Sequence, residues 1–217
     1  MRGEGMIKVF IADDHAIVRG GIRRILEDRK DIQIVGEAAN GQEAIQKVRE
    51  AAPNVILLDI SMPGMDGLDV TKQLKAMDPR VRILILTMHA EEQYAPRLLR
   101  AGAMGYVTKH AAPEELVEAI HVVHSGRRFI SPTLAENLAW RYLGDKADLR
   151  PVECLSDREL QVLCLLAKGN TNQEIAEFLH LSVKTIDTYR GRVLEKLNLR
   201  NNVELTLFAI RNGLIEE

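Results

Sequence analysis

The stretch "LLDISMPGMDG", residues 57–67, is an apolar run that ends at an aspartate and is followed by proline and glycine. A short continuous apolar run is typical of a buried strand, and Pro63, Gly64 and Gly67 predict a turn directly after it. Asp59 is therefore expected at the end of a buried strand, a place where proteins hold ligands rather than build cores.

Apolar runs of this kind recur through the first half of the chain, and helical patterns lie between them. The runs cover residues 7–12, 32–38, 55–59, 82–87 and 105–108. Three of them are nearly continuous in Val, Ile and Leu, as expected for parallel strands that are covered on both faces. Repeated alternation of strand and helix predicts a doubly wound α/β domain, and five strands favour the flavodoxin-like order 2-1-3-4-5.

Polar residues follow these strands at the edge where such folds bind ligands. Asp13 and Asp14 follow the first strand, Asp59 ends the third, Thr87 ends the fourth and Lys109 follows the fifth. Strands 1 and 3 are neighbours in this order, so three carboxylates would converge, which is costly unless a cation lies among them. Hard carboxylate oxygens favour Mg²⁺. The hydroxyl of Thr87 and the ammonium of Lys109 would then suit a phosphoryl group.

Each of these residues also has a simpler interpretation when it is taken alone. An aspartate after a strand is often only a helix N-cap, which applies to Asp14. Thr87 could be an ordinary strand end, and Lys109 could be a solvated lysine. The placement of all five residues at strand ends favours the functional interpretation.

Four segments resemble the signature segments of a bacterial response-regulator receiver domain: "FIADDH", "LLDISMPGMDG", "ILTMHA" and "GYVTKH". The resemblance implies that Asp59 accepts a phosphoryl group from a sensor histidine kinase. The implied Mg²⁺ ligands are the carboxylates of Asp13, Asp14 and Asp59 and the backbone carbonyl of Ser61. Thr87 and Lys109 would bind the phosphoryl oxygens, and Tyr106 would be the aromatic residue that turns inward when Thr87 moves.

Composition limits the class of protein. A net charge of −2 over 217 residues gives no overall sign of a nucleic-acid or membrane partner. Cys154 and Cys164 lack the spacing of a metal or redox site, so both are expected to be reduced, small hydrophobic side chains. No stretch approaches the roughly 18 apolar residues of a membrane helix, and the N-terminus has no signal-peptide apolar region, which predicts a cytoplasmic protein.

Two further segments predict where the fourth helix begins and where the first domain ends. Pro96 would interrupt a helix that began near Glu91, so the fourth helix is expected to begin late, with Pro96 in its first turn and residues 89–95 as a mobile loop. The segment "SPTLAENLAWRYLG", residues 131–144, carries a helical pattern. The polar stretch that follows, residues 145–154, is typical of a flexible connector between domains.

The remaining residues are expected to be all helical. Ser156 and Glu159 predict a capping box, and Gly169 predicts the end of the helix that this box starts. A second box at Thr171 and Glu174 starts "TNQEIAEFL", and "HLS" predicts a tight turn into "VKTIDTYRGRVLEKL". Two helices joined by a short turn, the second one longer, have the helix-turn-helix shape.

The second helix of this pair has an apolar and a polar face. The residues expected to point to the core are Ile186, Tyr189, Val193, Leu194 and Leu197. The candidate DNA contacts are Lys184, Thr185, Asp187, Thr188, Gly191 and Arg192. Residues 184–200 carry five basic and two acidic residues, a local +3, whereas residues 151–217 carry eight and ten, or −2. Positive charge is thus concentrated on one helix, as DNA binding would require, although a solvated helix face would look the same.

The segment from "LSDRELQVL" to "VLEKLNL" resembles the LuxR-type helix-turn-helix, and the whole chain resembles a NarL/FixJ-family two-component response regulator. The resemblance implies a receiver domain at residues 1–127, a linker with a helix at 128–151 and a DNA-binding domain at 152–217. It implies a transcription regulator rather than an enzyme, without a membrane partner. The protein would bind double-stranded DNA as a homodimer when phosphorylated, and its last helix would contribute to dimerisation.

Two other classes of function stay open at this point. Carboxylates around Mg²⁺ also serve phosphatases and phosphotransferases, although the sequence shows no separate general acid, substrate pocket or lid. The second alternative is a constitutive DNA-binding regulator with a phosphorylation-independent receiver, and the presence of all five switch residues argues against it.

Asp187 also has two interpretations. An acid near DNA phosphates should weaken binding, but a carboxylate in the major groove can accept a hydrogen bond from the N4 amino group of cytosine. Alternatively, the helix dipole could favour an acidic residue early in the helix, or Asp187 could pair with Lys184 or Arg190.

His121 and His124 have a helical spacing that could suggest a metal pair, but a solvated helix face is the expected place for both.

Overall fold

The fold is described from a computed structural model, which describes residues 6–60, 62, 65, 67–87, 95–131, 135, 151–179, 181–212 and 214–215. The chain divides into two compact units, Met1–Ala139 and Trp140–Glu217. Strands and helices alternate in the first unit, whereas the described residues of the second unit form helices.

Parallel strands form the sheet of the first unit: β1 (Ile7–Ala12), β2 (Ile32–Ala38), β3 (Val55–Asp59), β4 (Arg82–Thr87) and β5 (Gly105–Thr108). They lie in the order β2-β1-β3-β4-β5, and every pairing is parallel. Ala12 of β1 lies beside Leu58 of β3, so the residues that follow these two strands meet at one edge. The predicted strands, their order and the flavodoxin-like class are confirmed.

Among the described residues, these helices accompany the sheet: α1 (Ala16–Glu27), α2 (Gly41–Ala51), α3 (Gly67–Met77), α4 (Ala95–Ala101) and α5 (Pro113–His124). Val9 and Ile11 of β1 belong to one buried cluster with Leu26 of α1 and Ile120 of α5, so α1 and α5 cover one face. Phe10 is also fully buried, and it points to the opposite face because side chains alternate along a strand. Burial on both faces explains why these strands are continuous apolar runs.

Helix α4 carries Pro96 as its second residue, so the predicted position of this proline in the first turn is confirmed. Proline is tolerated there because the first amide groups of a helix have no intrahelical partner. The predicted loop falls on residues 89–95, of which only Ala95 is described, and Ala95 belongs to the helix rather than to a loop.

The described part of the second unit consists of a short 3₁₀ segment (Pro151–Cys154) and the helices α6 (Asp157–Ala167), α7 (Asn172–Leu179), α8 (Val183–Lys196) and α9 (Asn202–Arg211). Helix α8 packs against α6 and α7, and α9 packs against α6. The turn between α7 and α8 includes Leu181 and Ser182. The all-α helix-turn-helix domain predicted from the sequence is confirmed.

Local side-chain hydrogen bonds fix the starts of these helices. Ser156 Oγ accepts a hydrogen bond from the Glu159 amide, and the Glu159 carboxylate accepts one from the Ser156 amide. Thr171 and Glu174 make the same exchange. Gly169, just after α6, has a φ of +89°, a left-handed conformation that favours glycine. Both capping boxes and the helix end at Gly169 are confirmed.

The predicted linker helix and connector fall largely on residues 132–150, of which only Ala135 is described. Of the two cysteines, only Cys164 is buried as expected, whereas Cys154 is exposed. Within the part of the chain that the structure describes, none of the helices has the length and apolar character needed to cross a membrane.

Candidate functional site

Two buried aspartates meet at the carboxyl edge of the sheet. Asp59 is the last residue of β3, and Asp13 comes directly after β1. Both are almost completely buried because β1 and β3 are central strands, and the pairing of these strands brings the two carboxylates together. Asp14 is partly buried beside them. Ser61, the predicted backbone ligand, lies outside the described residues.

Lys109 places its ammonium group between the two buried carboxylates. Its Nζ lies 2.7 Å from Asp13 Oδ2 and 2.8 Å from Asp59 Oδ2, and its side chain is 3% exposed. Burial lowers the pKa of Lys109, but the two carboxylates more than offset this effect, so its pKa is raised. The simpler interpretation of Lys109 as a solvated lysine is therefore wrong. Its ammonium group balances part of the negative charge of the site.

The remaining carboxylate oxygens fit a divalent cation. Asp13 Oδ2 and Asp14 Oδ1 are buried, and within the described part of the chain neither receives a well-directed hydrogen bond, despite short contacts with nitrogen atoms. One ammonium group balances only part of the charge of three carboxylates, and a hard cation would balance more of it. Asp13, Asp14, His15 and Asp59 each offer one ligand atom, and these atoms all lie within 4.8 Å of one another.

Sequence reasoning misses His15, which lies at the edge of this cluster. Its Nδ1 is 2.8 Å from Asp14 Oδ1 and 3.4 Å from Asp13 Oδ1, and its side chain is 57% exposed. Its backbone amide donates to Asp13 Oδ1 at 2.8 Å, which holds that carboxylate in place. His15 is the N-cap residue of α1, so the simpler interpretation of Asp14 as the N-cap is wrong. The signal in the sequence that could have identified His15 is its position directly after two acidic residues at the end of a strand.

Arg19 supports the same aspartate from α1. Its Nη1 donates to the backbone oxygen of Asp13 at 2.7 Å, and its Nε lies 3.7 Å from Glu37 Oε2 on β2. Glu37 also accepts a hydrogen bond from Arg23, one turn further along α1. These contacts tie α1 to β2 and hold the backbone that carries Asp13. No local pattern in the sequence indicates them, because they join residues on different elements.

Thr87 and Tyr106 lie on neighbouring strands beside the acidic cluster. Thr87 ends β4 and is buried, and its backbone oxygen accepts a hydrogen bond from the Lys109 amide at 2.6 Å. Tyr106, on β5, is also buried, with 8% of the residue exposed. The structure thus brings together Asp13, Asp14, Asp59, Thr87 and Lys109 at one edge of the sheet, as the sequence predicts. Their roles in phosphoryl binding stay predictions.

A second candidate surface lies on α8. Ile186 and Val193 are fully buried, and Tyr189 is partly buried with them on the face that the sequence predicts. The exposed residues include most of the candidate DNA contacts, namely Lys184, Asp187, Thr188, Gly191 and Arg192. Thr185 differs from them, because it is partly buried and its hydroxyl lies 2.8 Å from the N-cap hydroxyl of Ser182.

Asp187 has a partner that the sequence does not indicate. Asn172, at the start of α7, donates from Nδ2 to Asp187 Oδ1 at 2.5 Å. Arg190 instead donates to Asn202 Oδ1 at 2.7 Å. Among the described residues, Asp187 forms no ion pair with Lys184 or Arg190, so the alternative of such a pair is wrong, whereas the helix-dipole alternative stays open. The hydrogen bond joins the two helices of the helix-turn-helix.

One histidine prediction also needs correction. His121 Nε2 lies 2.6 Å from Asp31 Oδ2, so His121 is paired with a carboxylate rather than only solvated. The hydrogen bond to His121 holds the pKa of Asp31 below its usual value. The pair links α5 to the loop before β2 and lies outside the acidic cluster at the sheet edge.

Comparison with known proteins matches both units. A family model described as "Response regulator receiver domain" matches residues 9–121, and one described as "Bacterial regulatory proteins, luxR family" matches residues 153–209. The chain is 45% identical over 209 residues to the response regulator UvrY of Escherichia coli K12, with 96% of each chain covered.

Solved structures of RcsB are similar over most of the chain. RcsB from Salmonella enterica serovar Typhimurium, bound to promoter rprA in the presence of phosphomimetic BeF₃⁻, has a TM-score of 0.69 and 31% identity, covering 94% of this chain and 98% of that one. A structure of two RcsB dimers bound to two parallel DNAs has a TM-score of 0.59 and 30% identity, with the same coverage. The chain therefore belongs to the NarL/FixJ family of two-component response regulators, with a receiver domain followed by a LuxR-type helix-turn-helix domain.

Proposed function

We propose that a sensor histidine kinase phosphorylates Asp59 and that this modification controls dimerisation and DNA binding, so that the protein regulates transcription in the cytoplasm. The observation that carries the proposal is the Asp59 carboxylate, buried at the end of β3 and 2.8 Å from the Lys109 ammonium. Residues 1–127 would be the receiver domain, 128–151 a linker with a helix and 152–217 the DNA-binding domain. We do not propose that the protein catalyses the turnover of a free substrate.

In the proposed transfer, a carboxylate oxygen of Asp59 attacks the phosphorus of a phosphohistidine on the kinase. The new O–P bond forms as the P–N bond breaks, and the histidine nitrogen keeps the electron pair of the broken bond. Lys109 is positioned to neutralise charge on the phosphoryl oxygens, and the Thr87 hydroxyl would donate a hydrogen bond to one of them. Burial strengthens both interactions, because water does not screen them.

The acidic cluster is the proposed Mg²⁺ site. Its proposed ligands are the carboxylates of Asp13, Asp14 and Asp59 and the backbone carbonyl of Ser61. When bound, Mg²⁺ supplies positive charge beside the phosphoryl oxygens. The His15 amide and the Arg19 guanidinium, which both contact Asp13, would keep its carboxylate in position.

Thr87 and Tyr106 are the proposed switch residues. A phosphoryl group on Asp59 would draw the Thr87 hydroxyl toward it, and Tyr106 would occupy the space beside the displaced threonine. This change would alter the surface formed by β4, α4 and β5. Such a change could stabilise the dimer relative to the monomer, because a switch requires the two states to differ in their interactions.

We propose that α8 lies in the major groove of double-stranded DNA. Lys184 and Arg192 would neutralise phosphates, which contributes affinity but no sequence preference. Thr188 and Asp187 are exposed on the same helix and would face base edges, with Thr185 close to the helix start. The similarity to RcsB, which binds promoter DNA and forms dimers on DNA in the structures above, supports double-stranded DNA and a homodimer here.

Substitution of the acceptor tests the proposal. Asp59→Asn keeps the volume of the side chain but replaces the nucleophilic carboxylate with an amide, so we expect no incorporation of label from a small phosphodonor. Asp28→Asn, at the exposed end of α1, is the matched control and should incorporate label as the wild type does. Incorporation at the wild-type level in Asp59→Asn would show that another residue is the acceptor. Sustained turnover of a phosphate ester by the wild type would show an enzyme instead.

A further inference from the structure

The imidazole of His15 lies close enough to the acidic cluster to share a metal ion with it. Its Nδ1 is 2.8 Å from Asp14 Oδ1, 3.4 Å from Asp13 Oδ1 and 4.0 Å from Asp59 Oδ2. Lys109 contacts the other oxygen of Asp13, Oδ2, whereas at Asp59 both side chains approach Oδ2, with Lys109 Nζ at 2.8 Å.

These distances are short enough for the ligand atoms to converge on one octahedral ion after small shifts. An ion with ligands at about 2.1 Å separates adjacent ligand atoms by about 3.0 Å and opposite ones by about 4.2 Å. The three distances from His15 Nδ1 lie close to or between these values.

We propose that His15 is a fourth side-chain ligand of the metal site and raises its affinity for first-row transition-metal dications such as Mn²⁺ and Co²⁺ relative to Mg²⁺. Mg²⁺ takes oxygen ligands, whereas imidazole nitrogen suits transition metals and binds them more tightly from Mn²⁺ to Co²⁺. Carboxylate oxygens also bind these ions more tightly from Mn²⁺ to Co²⁺, and an imidazole nitrogen adds to that preference.

The backbone favours this role for the side chain. His15 is the N-cap residue of α1, yet its side chain makes no capping hydrogen bond, so coordination would not cost the helix a cap. Its backbone amide is hydrogen-bonded to Asp13 Oδ1, which holds the residue next to the cluster. The side chain is 57% exposed, so the residue lies at the solvent side of the cluster.

Metal affinities of the full-length, unphosphorylated protein test the inference. We expect His15→Ala to leave the Mg²⁺ dissociation constant unchanged and to weaken Mn²⁺ binding, with a larger loss for Co²⁺ of about tenfold or more. The loss should increase in the order Mg²⁺, Mn²⁺, Co²⁺, which follows the preference of these ions for nitrogen. An equal loss for all three ions, or no loss for any of them, would overturn the proposal.

Pulsed electron paramagnetic resonance of bound Mn²⁺ gives a second readout. The wild type should show modulation from a directly bound ¹⁴N, and His15→Ala should lose it. His15→Asn is a second variant that should also lose the ¹⁴N modulation. Asparagine suits an N-cap, and its amide binds metals through oxygen rather than nitrogen. His110→Asn, at the exposed histidine next to Lys109, is the matched control and should keep the signal. Absence of the nitrogen signal in the wild type, or its loss only in His110→Asn, would contradict the assignment.

The inference concerns the metal site of the proposed function and rests on that site. The two can still fail separately. Metal selectivity is measured without phosphorylation, so equal affinities in wild type and His15→Ala would leave phosphoryl transfer to Asp59 intact. Conversely, labelling of Asp59→Asn would refute the acceptor without changing the metal affinities.

Discussion

Glu159 is a single residue that links two helices of the DNA-binding domain. Its carboxylate accepts the Ser156 amide hydrogen bond at the start of α6, and its Oε2 lies 2.7 Å from Lys196 Nζ at the end of α8. The residue is 3% exposed. Burial raises the pKa of Glu159, but Lys196 and Ser156 more than offset this effect, so its pKa is lowered. The ionised carboxylate is therefore part of the folded structure.

We expect acid to destabilise the second domain through this carboxylate. The pKa of Glu159 is lower in the folded state than the value of about 4.3 in an unfolded chain. Its stabilisation is thus complete above that value and is lost as the pH falls through the folded pKa. Glu159→Gln should reduce the free energy of unfolding at neutral pH by about 1.5–3 kcal/mol and should flatten this pH dependence.

Urea unfolding followed by the amide resonances of α6, at several pH values, measures this effect. Glu195→Gln is the matched control, because Glu195 is an exposed glutamate on α8 and should change neither quantity. An equal acid sensitivity in wild type and Glu159→Gln would assign the effect to other groups.

Gly191 is the second residue for which a single substitution is informative. It lies inside α8, where glycine costs about 1 kcal/mol relative to alanine. A Cβ added there would meet nothing within 4 Å, so no contact within the described protein requires the glycine. Close approach of α8 to DNA would require it. Gly191→Ala should therefore raise the free energy of unfolding by up to about 1 kcal/mol and still weaken DNA binding.

Thermal unfolding and DNA titration of the same preparations measure both parts of this prediction. Gly20→Ala, on α1 of the receiver, is a matched control, because a Cβ there also meets nothing within 4 Å. It should gain stability without a change in DNA affinity. If Gly191→Ala bound DNA as tightly as the wild type, the helix would not approach the groove at this position.

At the scale of elements, the hydrogen bond from Asn172 to Asp187 connects α7 with α8. It engages Asp187 Oδ1, while the residue as a whole stays exposed. Orienting this carboxylate before DNA binds would reduce the cost of ordering it later. The bond therefore supports the interpretation in which Asp187 accepts a hydrogen bond from a cytosine N4 amino group.

Two substitutions separate the effects of charge and orientation. Asp187→Ala should strengthen binding to random DNA, because it removes a negative charge near phosphates, and should lose about 1–3 kcal/mol of preference at one C·G pair. Asn172→Ala should weaken the same preference without strengthening binding to random DNA. Competition among all four bases at each position of a selected DNA site measures both. An unchanged preference at every position in Asp187→Ala would leave the residue with only a structural role.

The elements themselves were largely predictable, because their signals are local. Buried parallel strands require continuous apolar runs, and the boxes at Ser156 and Thr171 depend on a residue three positions later. The side-chain partners were not predictable in the same way. Asn172 and Asp187 meet only after two helices have packed, and Arg19 reaches Asp13 only after α1 has docked on the sheet. A pattern within one element cannot show such contacts.

The positions of the site residues were also predictable from local signals, whereas their contacts were not. Asp13, Asp14, Asp59, Thr87 and Lys109 were predictable as a group because the strand order places their positions at one edge. The direct contact of Lys109 with two carboxylates was not, since a lysine side chain can reach several places from one backbone position. His15 was missed because an exposed histidine at a helix start has no periodic signal. Its relation to the cluster depends on three distances that only the folded chain defines.

At the scale of the whole molecule, two routes could connect Asp59 to DNA. Phosphorylation could uncover α8, or it could raise the population of a dimer that places two copies of α8 on one DNA site. The dependence on protein concentration distinguishes these routes. A dimer route loses its advantage at high concentration, where mass action forms the dimer without phosphate, whereas uncovering of α8 does not. We expect the dimer route, which follows from the homodimer proposed above.

Either route requires that a phosphate mimic and DNA affect each other's binding equally. If BeF₃⁻ on Mg²⁺-loaded protein raises DNA affinity by some factor, DNA must raise BeF₃⁻ affinity by the same factor, since both describe one coupling free energy. We expect a factor of about 5–150, the usual range for coupled sites. Two titrations measure it: DNA into protein with and without the mimic, and mimic into protein with and without a DNA site selected from a random pool. Lys184→Ala is a useful control, because it should weaken DNA binding while leaving the affinity for the mimic alone unchanged. If the protein bound both ligands and neither changed the affinity for the other, the receiver would not control DNA binding, and the constitutive regulator would be the correct description.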